Sequence, residues 1–152
     1  MLFGLVGSEM CIRDSMCLGQ ASGALESAIN YVQEREQFGK PIVEFQAVQM
    51  KLAEMAMKVE ASRLLIHRAA HNAQEGFPSI FESSVGKCFS NETAREVVAS
   101  AMQLMGGYGN KEYTMERKYR DVWGWGIAGG TIDIQKINIA SAMVGKRFNQ
   151  RK

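Results

Sequence analysis

Proline is scarce: Pro41 and Pro78 are the only two in 152 residues. A proline inside a helix removes a backbone hydrogen bond and clashes with the preceding turn, so long helices can run everywhere except across those two places. Cysteine is scarce too. Cys11, Cys17 and Cys88 form no CxxC pair and are odd in number, which argues against a disulfide framework and fits a reducing compartment. Charge nearly cancels, with a formal net of +2, too little to imply a nucleic-acid partner. Only the tail, from Lys146-Arg147 to Arg151-Lys152, is locally basic; cations there suit solubility and the end of a helix. No apolar run approaches the roughly 18 residues of a membrane span, and Leu2 to Val6 has neither the length nor the flanks of a signal peptide. Strand-like alternation, internal repeats and a βαβ unit with a glycine fingerprint are also missing.

What is present favours helix. The chain is 46% hydrophobic and 22% charged, with ten methionines, as expected of a soluble helical domain. A chain of this length makes one core and buries roughly 68 to 70% of its unfolded surface. Residues 1–15 do not read like the rest. The run from Leu5 to Ser15, Leu-Val-Gly-Ser-Glu-Met-Cys-Ile-Arg-Asp-Ser, resembles read-through of a sequencing adapter, so 1–15 is treated as non-native and the domain as 16–152. Leu18, Ala21, Leu25, Ala28 and Val32 predict a first helix over 16–38. A second follows over 43–74, with Phe45, Val48, Leu52, Met55, Val59, Ile66 and Ala70 on its stripe. Gly76 and Pro78 break the chain, and Ser79 with Glu82 forms a capping box that opens a third helix reaching Met105. Its stripe is Phe81, Val85, Cys88, Phe89, Val97, Ala101 and Met105. The glycine- and aromatic-rich stretch 106–130 is expected to be irregular, with one turn of helix near 116–120. A last helix, 131–147, points Ile134, Ile137, Ala140, Val144 and Phe148 inward. Short connections between long amphipathic helices predict an all-α, up-and-down four-helix bundle.

The corner between the first two helices carries the densest chemistry. Arg35, Gln37, Phe38, Phe45 and Gln46 gather around Gly39, which can adopt the left-handed conformation, and Pro41. An arginine, two glutamines and two phenylalanines can hold a flat ring with a phosphate, although a corner without a ligand can look the same. The pattern Arg-x-x-Phe-Gly from Arg35, with Gln46 following, resembles the signature of acyl-CoA dehydrogenases in their C-terminal helical domain. Two further motifs follow in the same order: Gln103-Leu-Met-Gly-Gly, and Arg120-Asp121 followed by Gly129-Gly130-Thr131. The resemblance runs from about Leu18 to Phe148. It implies FAD as cofactor, acyl-CoA as substrate, oxidation to the 2-enoyl-CoA, an electron-transfer flavoprotein as acceptor and a homo-oligomer, dimer or tetramer. A soluble location in the cytoplasm or mitochondrial matrix follows, with no secretion and no contact with membrane or nucleic acid.

On the residues alone, Gly106 and Gly107 are a helix C-cap or a place where backbone meets a ligand. The resemblance assigns Gln103, Gly106 and Gly107 to the adenosine and pyrophosphate end of FAD in the partner subunit, and Thr131 and Asp133 to flavin. A hydroxyl cap explains Thr131 equally well. His67 and His71 share a helix face but lack a third ligand or an HExxH glutamate, so no metal is expected. Cys88 reads as inert core. Many members of the family carry the catalytic glutamate directly before Gly-Thr, where this chain has Gly129, so no catalytic side chain is assigned; the backbone N–H there can still bind a thioester oxygen. Other branches place the base on the first helix, ten residues before the position of Gly19. That is Glu9, inside the non-native stretch, so the match is treated as coincidence and the true base as absent. The spacing between Gly109 and Glu112 is one residue short of the family pattern, Thr114 replaces the usual proline, and Trp123-Gly-Trp125 is unusual. On these readings the chain is a piece of a longer enzyme and inactive alone. A related acyl-CoA oxidase or reductase, or a purely structural bundle, remains open.

Overall fold

The computed structural model describes residues 2–73, 77–110 and 114–148, the first ten of these as backbone alone. Five helices make up most of it: α1 Leu2–Glu34, α2 Gln46–His71, α3 Ile80–Met105, α4 Thr114–Trp125 and α5 Ile132–Val144. The fold is the expected all-α bundle, with α3 packed against all four other helices. The break at Gly76, the spacing before Glu112 and the basic tail beyond Phe148 lie outside the described residues.

The core is built where α1, α2 and α3 meet. Cys17, Ala21, Ala24 and Ala28 of α1 face Met55 and Val59 of α2 and Ala94, Val97, Val98 and Ala101 of α3, with Met115 and Val122 of α4 closing one side. Small residues dominate the α1 and α3 faces, which lets the backbones approach closely while Leu18, Leu25 and Leu52 pack around the edge.

Four expectations change. The first helix stops at Glu34, not Phe38, because the corner folds as a hairpin: β1 Glu36–Gln37 pairs antiparallel with β2 Lys40–Pro41. Phe38 and Gly39 turn it with φ of 55° and 79°, the paired positive values a two-residue turn requires. The stretch expected to be irregular holds all of α4, a helix of 12 residues. Its glycines and tryptophans read as a loop, yet Met115 and Val122 bury one face. In α5 the inward residues are Ile132 and Gln135, whereas Ile134, Val144 and Phe148 are exposed and Ala140 with them. Polar and apolar residues are interleaved on every side of α5, so periodicity could not choose its buried face. On α3, Phe81 and Phe89 sit on the outer side, because a helix enclosed by four others keeps small side chains toward its neighbours. Ala70 of α2 is likewise exposed.

Ser79 caps α3 as the sequence implied, while the Glu82 carboxylate bonds the Ser79 hydroxyl and Asn72 Nδ2 in place of the backbone N–H a full capping box would use. Ser79 Oγ accepts from Glu82 N at 3.1 Å and donates to Glu82 Oε2 at 3.2 Å. Ser79→Ala should therefore lower unfolding free energy by about 1 kcal/mol, read as a shift in denaturant midpoint with an unchanged slope.

Candidate functional site

The hairpin and the end of α3 enclose a cavity of about 470 Å³, within the range of small-molecule sites. Tyr31, Arg35, Gln37 and Ile42 form one wall, and Leu104, Met105, Gly106, Gly107 and Tyr108 the other. The hairpin is set by backbone bonds: Arg35 N donates to Tyr31 O and Ile42 N to Arg35 O, each at 2.8 Å. These fix the arginine where α1 ends. On the opposite wall α3 ends at Gly106, whose φ of 58° continues into a short 3-10 turn over 106–108. The Tyr31 and Tyr108 rings close the floor, with centroids 5.9 Å apart.

This geometry offers a cation, an amide and bare backbone to one space. The Arg35 side chain is exposed, and a Cβ built on Gly106 or Gly107 would meet no atom within 4 Å, so both glycines leave an open shelf. Beside the cavity, Phe38 is 93% exposed and meets Phe45 edge to face at 6.2 Å. Lys40 lies over the Phe45 ring, 4.6 Å from its centroid. Gln46, first residue of α2, is exposed nearby. Arg35, Gln37, Gly106 and Gly107 are thus brought together, with Phe38, Phe45 and Gln46 adjoining. Gln103 is exposed near the end of α3 but does not line the cavity. Tyr31, Ile42, Leu104, Met105 and Tyr108 were not singled out from sequence; Tyr31 lies four residues before Arg35, one helical turn away, and that spacing was available to read.

Thr131 and Asp133 belong to a separate place, the start of α5. Thr131 Oγ1 accepts from Ile134 N at 3.4 Å, so its hydroxyl is an N-cap, and Asp133 lies exposed in the first turn. Before them Gly129 and Gly130 have φ of 69° and 91°. A Cβ on Gly129 would fall 2.3 Å from Arg13 Nη1, which puts α1 directly against this loop. His67 and His71 are exposed on α2. Cys88 is buried and its thiol contacts Ile132 O at 3.6 Å. Burial pushes the Cys17 thiol up to about 12 and the Cys88 thiol up to about 11, which keeps both protonated and poorly nucleophilic at neutral pH.

The model for the C-terminal domain of acyl-CoA dehydrogenases matches residues 13–144. This chain belongs to the acyl-CoA dehydrogenase family. The match begins at Arg13, inside the stretch read from sequence as non-native. Among curated relatives, the chain is 39% identical over 140 residues to a 3-sulfinopropanoyl-CoA desulfinase of Paraburkholderia xenovorans, covering 91% of this chain and 36% of the relative. It is 44% identical over 132 residues to FadE25 of Mycobacterium tuberculosis, described as a probable acyl-CoA dehydrogenase, covering 86% and 34%. To the CarC subunit of the caffeyl-CoA reductase-Etf complex of Acetobacterium woodii it is 41% identical over 133 residues, covering 87% and 35%. Two solved relatives share the fold. A glutaryl-coenzyme A dehydrogenase in complex with glutaryl-CoA superposes with a TM-score of 0.91 at 35% identity, covering 99% of this chain and 39% of that one. A glutaryl-CoA dehydrogenase of Mycobacterium smegmatis in complex with FADH2 gives 0.88 at 27%, covering 95% and 38%. This acyl-CoA dehydrogenase chain therefore spans about a third of the length of the curated relatives it matches.

The glycines at and just beyond the cavity differ in the room they leave for a side chain. A Cβ on Gly109 would lie 2.8 Å from the Met102 carbonyl oxygen, so Gly109→Ala must displace backbone and should cost roughly 1 to 3 kcal/mol. Gly107→Ala meets open space and should stay within about 0.5 kcal/mol of the parent chain. Thermal unfolding of the two variants tests this contrast.

Proposed function

We propose that this chain is the C-terminal helical part of a flavin-dependent acyl-CoA dehydrogenase that oxidises acyl-CoA to 2-enoyl-CoA and passes electrons to an electron-transfer flavoprotein. The observation that carries the reading is the cavity in which Arg35 and Gln37 face the open backbone of Gly106 and Gly107. A planar guanidinium beside backbone that no Cβ covers suits a pyrophosphate, and this set of groups fits the adenosine and pyrophosphate end of FAD, with the Gly106 N–H itself already donating to Gln103 O. Phe38, Phe45 and Gln46 extend that surface along the hairpin, and Gln103 extends it along α3. Thr131 and Asp133 would meet the flavin at the other place.

Bound FAD supplies the acceptor for the hydride leaving the β-carbon of the acyl chain. The chain's own contributions are binding and orientation. Arg35 neutralises phosphate charge, Gly106 and Gly107 admit it, and the Gly129 N–H is available to a thioester oxygen as negative charge builds there. The α-proton needs a carboxylate, which Gly129 cannot provide. Arg13 against Gly129 supports supply of that base from α1, because the position ten before Gly19 is one turn from Arg13 on the same helix. The Glu9 side chain itself lies outside the described residues. The stretch 1–15 remains, on this reading, a replacement for native sequence that carries the base, and the isolated chain is inactive.

No helix among the described residues is long and apolar enough to cross a membrane. A homo-oligomer, dimer or tetramer, is supported by Met50, Met57 and Leu64, exposed at seven-residue intervals along α2. The second reading is an acyl-CoA reductase working in the opposite direction. The likeness to a reductase-complex subunit supports it, whereas Gly129 does not choose between the two directions, because the same proton must be moved in either.

In a parent enzyme with its native upstream sequence, Arg35→Ala should lower FAD content while leaving the melting temperature of the flavin-free protein unchanged, since Arg35 is exposed. Unchanged flavin content would overturn the cofactor assignment, and a colourless pure parent would favour a structural bundle. In the same enzyme, converting the acidic residue ten before Gly19 to glutamine should cost about 10²- to 10⁴-fold in kcat. Adding Gly129→Glu to that variant should restore part of the turnover and no more, because a side chain at φ of 69° is strained and its Cβ falls 2.3 Å from Arg13 Nη1. Normal dehydrogenation by a parent with no carboxylate at that upstream position would overturn the base assignment. Turnover faster from enoyl-CoA with a reduced donor than from acyl-CoA would select the reductase.

A further inference from the structure

Three side chains of α3 stitch it to the first turn of α5 and to the loop ahead of it. Ser84 Oγ donates to Gln135 Oε1 at 2.9 Å, Lys87 Nζ to Ala128 O at 2.7 Å, and Cys88 Sγ to Ile132 O at 3.6 Å. At 84, 87 and 88 they share one helix face. Lys87 is the unexpected member, a lysine with no exposed surface at all. Burying an ammonium is costly unless it is paired and hydrogen-bonded. Burial lowers its pKa, with Asp14 and Cys17 opposing that shift and Arg13 adding to it.

The bond falls at a sensitive point. Ala128 O and the Gly129 N–H belong to one peptide plane, and no peptide bond in the described residues is cis, so the two groups point in opposite directions. Gly129 and Gly130 both have positive φ and no side chain to restrict rotation, so local sterics alone do not fix how this plane faces. A cation donating to the carbonyl does fix it. It holds the oxygen toward α3, directs the N–H away from α3, and polarises the peptide so that the N–H donates more strongly.

We propose that Lys87 is a positioning residue, whose buried ammonium locks the Ala128–Gly129 peptide so that the Gly129 N–H is presented to the thioester oxygen of an acyl-CoA. This rests on the function proposed above for the Gly129 N–H, whereas the locking of the loop does not. The two are separable by experiment. In the chain itself, labelled with ¹⁵N-glycine, Lys87→Met should move the Gly129 and Gly130 amide resonances and leave those of Gly39 and Gly145 in place, with no flavin or substrate required. In the parent enzyme the same variant should lower kcat about tenfold or more, since one oxyanion donor is worth roughly 10²- to 10³-fold, while FAD content and KM stay near wild type. The carbonyl stretch of bound ¹³C-labelled acyl-CoA should rise as its hydrogen bond weakens. If Lys87→Met does not fold, Lys87→Gln, which keeps a donor without the charge, is read in the same way. An unmoved Gly129 amide in a folded variant overturns the locking, and loss of the fold in both variants overturns it in favour of a purely structural lysine. Moved amides with unchanged kcat and carbonyl stretch overturn the catalytic link alone.

Discussion

A helix surrounded on four sides must give up bulk. α3 meets α1, α2, α4 and α5, and its buried face accordingly carries Ser83, Ser84, Gly86, Ser90, Thr93 and Ala94 in place of large apolar residues. Hydroxyls on such a face are tolerated because they return bonds to their own helix: Ser83 Oγ donates to Ser79 O and Ser90 Oγ to Lys87 O. The polar groups left over bond to neighbours. Cys17 Sγ donates to Asn91 Oδ1 at 3.2 Å, and Ser84 Oγ reaches Gln135. Such bonds are satisfied only when the helices stand in one register, whereas smooth apolar faces could slide. Both ends of interest inherit their position from this arrangement, the glycines after Met105 directly and the loop before α5 through Lys87, with Ser84 and Cys88 holding the first turn of α5 itself.

Most of this fold was legible in the sequence, and each failure has a physical source. Of the helices whose stripes alternate with charge, α2 was found with ends off by three residues, whereas α1 begins at Leu2, far ahead of the expected 16, and stops at Glu34. Ser79, Glu82, Gly106 and Thr131 marked termini of α3 and α5 because capping is local chemistry. The buried faces of α3 and α5 were read only in part: Cys88, Val97 and Ala101 are buried as expected, but α3 is enclosed and α5 interleaves polar and apolar residues around its circumference, and both conditions weaken the contrast that periodicity depends on. The corner was read as a break, which it is, but pairing of Glu36–Gln37 with Lys40–Pro41 depends on a turn at Phe38, and phenylalanine seldom accepts positive φ.

At the site, the motif residues came from likeness to a family and the cavity came from the fold. Arg35 and Gln37 meet Gly106 and Gly107 because two chain ends converge, and spacing alone contains nothing of that meeting. Lys87 was passed over for a different reason. In sequence it is one lysine among many, set between Gly86 and Cys88, and only its enclosure makes it unusual.

The cavity joins the end of α1 to the end of α3, so neither wall exists without the packed bundle between them. Any molecule held there binds the folded chain and has no comparable site on the unfolded one. By mass action it adds RT ln(1 + [L]/Kd) to the unfolding free energy, about 2.7 kcal/mol at a hundredfold excess over Kd. Occupancy and foldedness then become one thermodynamic variable, and scarcity of the ligand would be felt first as a loss of protein.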